Sequence, residues 1–249
     1  MNENSHLKMS DFKMLAAELM RSFEEPITGP WSDAVFSNLA VKVFEYQYKN
    51  NPAYAKYSKN RGVTPLNIQS WKDIPPVPTL AFKEFPIISG SSGVAEAVFK
   101  TSGTSLGNQQ GEHHILSLSL YKASIVGSMK HHFYSEQRPT LLALVRDPIE
   151  SPSSSLSFML GEALSSLSMG RGGFYVGQDN RIQYEKLVNG LRKVESDGVS
   201  VLFAGTAFAF VHWVDWLDQQ GLYFQLPESS QIMETGGFKG RSRVIPRLD

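Results

Sequence analysis

The spacing of hydrophobic residues changes near position 97, from a helical period to short apolar runs that alternate with helical segments. Before that position, apolar residues at 12–23 and at 35–44 recur every three or four residues, which predicts two amphipathic helices. We expect Ser10 to cap the first helix and Asn51-Pro52 to end the second. The connector at 73–78 is short, apolar and rich in proline, so we expect an extended segment packed on the protein body.

Beyond position 97 the runs at 141–145 and 199–203 are unbroken, as is typical of strands that are covered on both faces of a parallel sheet. We predict strands at 97–100, 112–116, 141–145, 174–176, 199–203 and 231–234, and helices at 118–133, 156–167, 182–194 and 207–217. The predicted fold class is α/β: a helical N-terminus followed by a largely parallel sheet with helices on both faces.

The amino-acid composition of the chain argues against several classes of function. The chain has 249 residues, is 41% hydrophobic, and balances 24 Lys and Arg against 24 Asp and Glu. No basic excess points to nucleic acid or to an anionic membrane. The absence of cysteine excludes disulfides, thiolate zinc sites and a cysteine nucleophile within this chain. No apolar run is long enough for a signal peptide or a membrane helix, so we expect a cytoplasmic protein without a membrane span.

A loop of hydroxyls and glycines follows the predicted strand at 97–100. Its candidate ligand-binding residues are Thr101, Ser102, Gly103, Thr104, Ser105 and Gly107. Glycines let backbone N–H groups approach an anion closely, and the hydroxyls add hydrogen-bond donors. The loop is not a Walker A motif, because Asn108-Gln109 stands where that motif has lysine and a hydroxyl residue. The loop therefore predicts polyphosphate binding, with an ordinary surface turn as the alternative.

Two further loops of small and hydroxylated residues follow predicted strands: Gly205-Thr206, and Thr235 with Gly236 and Gly237. Ligands of parallel sheets bind beyond the carboxyl ends of the strands. We therefore expect all three loops to gather at one sheet edge, with 101–107 and 235–237 facing one cleft.

Three segments together carry a family resemblance. They are Ile74-Pro75-Pro76-Val77-Pro78-Thr79 with Phe82-Lys83, then Thr101-Ser102-Gly103-Thr104-Ser105, and Glu234-Thr235-Gly236-Gly237-Phe238-Lys239-Gly240-Arg241-Ser242-Arg243. The chain resembles the acyl-protein synthetases of bacterial bioluminescence operons, long-chain fatty acid–protein ligases of the adenylate-forming superfamily. The resemblance implies a partial adenylate-forming large domain, an incomplete N-terminal domain over 1–249. Within it, residues 1–70 would be a helical lead-in and 71–249 the nucleotide-binding α/β region.

The resemblance also implies a chemistry with ATP as cofactor. A carboxylate, most simply of a fatty acid, attacks the α-phosphate to give an acyl-adenylate and pyrophosphate, and a thiol or other nucleophile then accepts the acyl group. The loop at 101–107 would hold the β- and γ-phosphates, Thr235, Gly236 and Gly237 would lie against adenine, and Gly205-Thr206 would form part of the acyl pocket. Acyl-transferase or reductase subunits are the implied protein partners.

The sequence departs from this family pattern in two ways. Asn108-Gln109-Gln110 stands where the loop of the superfamily often ends with a Pro-Lys pair. The segments with the magnesium-binding glutamate, the ribose-binding aspartate, the catalytic lysine and the acyl-accepting cysteine are not found before Asp249. We expect an incomplete ligase that binds nucleotide weakly, with the Mg²⁺ ligand beyond the chain end and no assignable catalytic residue. The alternative is a non-catalytic nucleotide- or acyl-binding remnant, or a subunit of an acyl-transfer complex. An unrelated α/β protein is disfavoured by the match at 234–243.

Other candidate residues have ordinary structural interpretations. Lys239, Arg241 and Arg243 could bind phosphate or could be solvated. His113-His114 and His131-His132 predict no metal site, because neighbouring residues of a strand point to opposite faces and no carboxylate-rich spacing accompanies either pair. Five aromatic residues could line an acyl pocket, although their spacing favours the core: Phe203, Phe208, Phe210, Trp213 and Trp216.

Overall fold

A computed structural model describes residues 3–24, 31–90, 92–101, 110–134 and 138–236 of the chain, which divides into two compact units, 1–127 and 128–249. Within the described residues the helices are α1 (Glu3–Glu24), α2 (Asp33–Asn50), α3 (Pro52–Lys59), α4 (Ala81–Glu84), α5 (Leu118–Phe133), α6 (Ser155–Ser166), α7 (Tyr184–Asp197) and α8 (Ala207–Gln220). The strands are β1 (Ala97–Lys100), β2 (Glu112–Ile115), β3 (Thr140–Leu144), β4 (Gly172–Phe174), β5 (Val201–Thr206) and β6 (Gln231–Thr235). None of these helices is both long and apolar enough to cross a bilayer.

The first unit begins with the two predicted helices. The prediction that Ser10 caps α1 is wrong, because the helix already begins at Glu3 and no proline or glycine between the two positions interrupts it. Helix α2 ends at Asn50, as predicted from Asn51-Pro52. The same pair starts a further helix that the pattern did not indicate, α3. The Asn51 side chain accepts a hydrogen bond from the Tyr54 N–H at 3.0 Å, and Pro52 occupies the first turn.

The proline-rich connector packs on these helices, as predicted. The Tyr54 hydroxyl donates to the Pro75 carbonyl at 3.1 Å, and the Tyr57 hydroxyl donates to the Pro76 carbonyl at 2.6 Å. A proline carbonyl accepts hydrogen bonds as any backbone carbonyl does, and these two tyrosine hydroxyls satisfy it. Phe44, Tyr54 and Ile68 form the small core beneath the connector.

Strands β1 and β2 form an antiparallel hairpin of their own, with Ala97 opposite Ile115 and Lys100 opposite Glu112. The predicted strand positions are confirmed. The expectation that the loop at 101–107 joins the two other loops at one sheet edge is wrong, because β1 pairs with β2 and not with any strand of the parallel sheet. The loop connects antiparallel neighbours, so it leaves the end of a hairpin.

The second unit contains the predicted parallel sheet, in the order β4-β3-β5-β6. Leu142 lies beside Phe203 in the register of β3 and β5. Every residue of β3 from Leu141 to Leu144 is buried, which explains its unbroken apolar sequence. Helices α7 and α8 pack with Leu142 and Leu144 in one core cluster, and α6 also packs on β3. The α/β fold class is therefore confirmed.

Strand β4 begins two residues earlier than predicted. Gly172 has a φ of +122°, and a Cβ there would lie within 1.8 Å of the Leu141 carbonyl oxygen, so only glycine fits this start. Val176 forms an isolated bridge with Ile182 instead of extending the strand. Helix α7 consequently begins at Tyr184 and not at 182.

Candidate functional site

The stem of the predicted phosphate loop is closed by two hydrogen bonds at the end of the hairpin. The Thr101 N–H donates to the Gly111 carbonyl at 2.9 Å, and the Gly111 N–H donates to the Thr101 side-chain oxygen, also at 2.9 Å. Because Thr101 Oγ1 accepts this bond, its own hydrogen can donate to a ligand. The other loop residues that we predicted to bind phosphate lie outside the described residues: Ser102, Gly103, Thr104, Ser105 and Gly107.

Gly111 fixes this stem against the segment that carries part of the family resemblance. A Cβ at Gly111 would lie 2.7 Å from the carbonyl oxygen of Phe82 and 3.3 Å from the Lys83 side chain. A glycine is therefore required for this close packing. Next to the stem, the Lys100 ammonium lies 3.6 Å from the Glu112 carboxylate across the hairpin. Both ends of the loop are thus anchored in the first unit.

The other two predicted loops are neighbours at the carboxyl edge of the parallel sheet. Thr206 ends β5 beside Thr235, which ends β6. The Thr206 hydroxyl oxygen accepts from the Ala209 N–H at 3.3 Å and so caps α8. Gly236 follows with a φ of +81°, whereas Gly237 lies outside the described residues. The structure therefore brings Gly205-Thr206 and Thr235-Gly236 together, while a cleft shared with 101–107 stays a prediction.

Gly205 has a packing reason for its small size. A Cβ there would lie 2.7 Å from the Cβ of Leu144 and 3.4 Å from the Phe210 ring. The nearby aromatics follow the core interpretation: Phe203 and Trp213 are buried in the cluster under α7 and α8, and Phe210 and Trp216 pack against it. An acyl pocket at Gly205-Thr206 stays a prediction.

The histidine pairs do not assemble a metal centre. Within the described residues no group of three or more His, Asp or Glu side chains is placed to hold a metal ion. His114 Nε2 lies 3.1 Å from the Glu112 carboxylate. Desolvation, with a smaller contribution from His114, lowers the pKa of His113, although more than a third of that residue stays accessible. Lys239, Arg241 and Arg243 lie outside the described residues.

The sequence interpretation missed a cavity of about 590 Å³ in the first unit. It is bounded by α1, α2, the proline-rich connector, β2 and the start of α5. The apolar stripe of α1 was visible in the sequence as a helical face. Its contribution to a cavity was not, because the other walls come from residues up to about a hundred positions away.

Comparison with known proteins adds a family and a fold. The sequence profile of the family described as "Acyl-protein synthetase, LuxE" matches residues 25–244. A solved structure, that of 2-hydroxyisobutyryl-CoA ligase in complex with 2-HIB-AMP and CoA in the thioesterification state, is similar with a TM-score of 0.55 and 17% sequence identity. The similarity covers 76% of this chain and 40% of that ligase, so the chain spans well under half of the ligase's length. No curated protein matches the chain in sequence.

Proposed function

The chain belongs to the acyl-protein synthetase family, and from that premise we propose that it takes part in the ATP-dependent activation of a carboxylic acid. A carboxylate oxygen attacks the α-phosphorus of ATP, the bond from that phosphorus to the bridging oxygen breaks, and pyrophosphate leaves with its charge. The product is an acyl-adenylate. The family match over residues 25–244 is the observation that carries this proposal, and the similar fold of an adenylate-forming ligase supports it.

We assign the phosphates of ATP to the hairpin loop, whose proposed ligands are Thr101, Ser102, Gly103, Thr104, Ser105 and Gly107. The closed stem supports this assignment, because two hydrogen bonds between Thr101 and Gly111 hold both ends of the loop at fixed positions. Fixed ends limit the positions at which the donors of the loop can meet a phosphate, and such positioning, together with charge stabilisation, contributes to phosphoryl chemistry. When bound, Mg²⁺ would neutralise charge on the phosphate oxygens.

We assign adenine to the end of β6, at Thr235, Gly236 and Gly237. Gly236 has no side chain, and none of the described residues has an atom within 4 Å of where its Cβ would stand, which supports room for a flat base. Thr206 and Thr235 stand side by side in the sheet register at this edge.

The proposal also names an acid substrate, an acyl acceptor and protein partners. A fatty acid is the proposed substrate, and a protein or thiol group is the proposed acceptor of the acyl group. Acyl-transferase or reductase subunits are the proposed partners, in the cytoplasm and in the setting of bioluminescence. The similar ligase was solved in complex with both an AMP conjugate and CoA, which supports a two-step transfer through an adenylate.

A second candidate function is binding without turnover, in a remnant or a subunit of an acyl-transfer complex. The observation in its favour is that the sequence has Asn108-Gln109-Gln110 where the loop of the adenylate-forming superfamily often has a Pro-Lys pair. Losing one group that stabilises developing charge costs about 10²- to 10³-fold in rate. We accordingly expect residues 1–249 by themselves to bind ATP without releasing pyrophosphate.

Pyrophosphate release from ATP, measured on residues 1–249 with a panel of fatty acids, separates these possibilities. We expect ATP binding and no release beyond the level seen without acid. Release that depends on fatty acid and is abolished by Thr104→Ala would establish the ligase and refute the expectation that these residues are insufficient. The lack of any ATP binding would refute the ligase and the nucleotide-binding remnant, and would retain only the acyl-binding form of the second candidate.

A further inference from the structure

The loop between β3 and α6 lies where ligands of parallel sheets bind. Strand β3 has β4, which follows it in the chain, on one side and β5 on the other. Such a reversal of strand order opens a crevice beyond the carboxyl ends of the two strands concerned, here β3 and β5. Leu144 and Gly205 are register partners at these ends. Residues 145–154 follow β3 directly, so this loop borders the crevice.

Arg146, two residues beyond the end of β3, carries a half-buried positive charge without a counter-charge. Nη2 of its guanidinium donates a hydrogen bond to Ser151 Oγ at 3.1 Å. Among the described residues no carboxylate forms an ion pair with this guanidinium. A guanidinium offers five N–H donors in a planar fork, and burial raises the cost of leaving its charge uncompensated. An oxyanion in the crevice would supply the missing charge.

The two carboxylates of the same loop are engaged by neutral donors. Asp147, next to the arginine in sequence, accepts a hydrogen bond from the Ile149 N–H at 2.8 Å through Oδ1. The Glu150 carboxylate accepts from the side-chain amide of Gln178 at 3.2 Å. Neither carboxylate forms an ion pair with Arg146, although both are near it in sequence. The loop therefore keeps its positive charge available for a ligand.

Packing and hydrogen bonds fix the residue that holds the guanidinium. Ser151 is buried, with 7% of its surface exposed, and its N–H donates to the Asp147 carbonyl at 2.9 Å. A Cβ on Gly161 would lie 2.8 Å from the Pro148 ring, so the loop packs tightly on α6. Because its hydrogen-bond acceptor is held in this way, Arg146 is positioned before a ligand arrives.

We propose that Arg146 binds an oxyanion, a carboxylate or a phosphate, in the crevice between the carboxyl ends of β3 and β5. The planar fork of a guanidinium matches two oxygens of either group. That the oxyanion belongs to the acid or to the nucleotide rests on the proposed function. The uncompensated charge and its place in the fold do not rest on it.

The sheet register places this charge near the proposed adenine site. Leu144, Gly205 and Glu234 lie in one row across the sheet, so the ends of β3 and β6 are two strand spacings apart, about 10 Å. A nucleotide whose base lies at Gly236 spans a distance of this order to its phosphates. The phosphate of such a nucleotide and the carboxylate that attacks it are therefore the two candidate oxyanions for Arg146.

Calorimetry on residues 1–249 with two pairs of ligands tests the proposal. Each pair compares a charged ligand with a neutral one of similar shape: AMP with adenosine, and octanoate with octanol. Arg146→Met keeps the apolar stem of the side chain and removes its charge. We expect this variant to bind the charged member of one pair about tenfold or more weakly, as for the loss of a hydrogen bond between charged groups, and to bind the neutral member unchanged. The pair that responds identifies the source of the oxyanion.

Two further variants separate charge recognition from a structural effect. Arg146→Lys keeps the charge without the planar fork, so it should restore part of the affinity for the charged ligand. Arg171→Met is the matched control, because Arg171 is an exposed arginine of the same unit that precedes β4, at the opposite edge of the sheet. It should bind all four ligands as the wild type does. Equal losses for charged and neutral ligands, no loss in either pair, or a wild type that binds neither AMP nor octanoate would overturn the proposal.

Phenylglyoxal, which modifies accessible guanidinium groups, supplies a measurement that needs no variant. We expect mass spectrometry to find Arg146 modified in the free protein and protected by AMP or octanoate, with Arg171 modified equally in both samples. No modification of Arg146, or modification that neither ligand reduces, would overturn the proposal.

ATP binding measured on the same samples separates this inference from the proposed function. Protection of Arg146 by octanoate without any ATP binding retains the oxyanion site and refutes the proposed function. ATP binding without protection, and without a charge-specific loss in Arg146→Met, overturns the oxyanion site and retains the proposed function.

Discussion

Gly111→Ala is the substitution whose consequence the structure specifies most closely. The new Cβ would stand 2.7 Å from the Phe82 carbonyl oxygen, about 0.7 Å short of ordinary contact at 3.4 Å. The obstructing atom is backbone, and the same glycine makes both hydrogen bonds that close the loop stem with Thr101. Relief of the overlap must therefore move the stem or the segment at Phe82. Overpacking of this kind costs about 1–3 kcal/mol of unfolding free energy, and we also expect weaker ATP binding.

The assay is urea denaturation followed by circular dichroism, together with ATP titration of the folded variant. Gly173→Ala is the matched control, because no atom of the described part of the chain lies within 4 Å of its Cβ position and its φ is not positive. That control should change stability by less than 1 kcal/mol, with a slight gain from the lower entropy of the unfolded chain. A Gly111→Ala protein with wild-type stability and wild-type ATP affinity would refute the account of the loop stem.

Three other predictions test the stem, the core and a titrating group. Thr101→Val removes the acceptor of the Gly111 N–H and should cost about 1–3 kcal/mol in urea denaturation, whereas Thr101→Ser should retain the bond and stability. Trp213→Ala should cost about 3–5 kcal/mol, since Trp213 is 3% exposed in the core, whereas Val214→Ala on the 46% exposed side should stay within about 0.5 kcal/mol. The folded state lowers the pKa of His113 below its ordinary 6.5, so the unfolded chain takes up this proton first as pH falls. Stability should therefore decrease below about pH 6.5, and a smaller decrease should be measured in His113→Asn; an identical pH profile in wild type and variant would contradict this.

Local sequence patterns predicted most of the helices and strands, because helices and strands each have a characteristic spacing of hydrophobic residues. The unbroken apolar residues of β3 correspond to burial on both faces, and the two predicted central strands are neighbours in register. Helix starts were less predictable. Ser10 has a side chain suited to a cap, but a helix begins earlier when no residue before it stops the backbone from continuing.

The candidate site was less predictable because it depends on pairings between distant segments. The strand at 97–100 had the right position, yet its antiparallel partner decides that the loop leaves a hairpin and not the parallel sheet. The stripe on α1 was recognised as one helical face. Whether such a face meets side chains or borders a cavity depends on α2, the connector and β2 together.

The central claim is that the hairpin loop holds the phosphates of ATP, and equilibrium dialysis of labelled ATP against residues 1–249 tests it most directly. We predict saturable binding that Thr104→Ala weakens by about tenfold or more, as expected for the loss of a hydrogen bond to a charged group. Ser165→Ala, an exposed hydroxyl position on α6, should bind ATP as the wild type does. No saturable binding, or the same affinity in both variants, would contradict the claim.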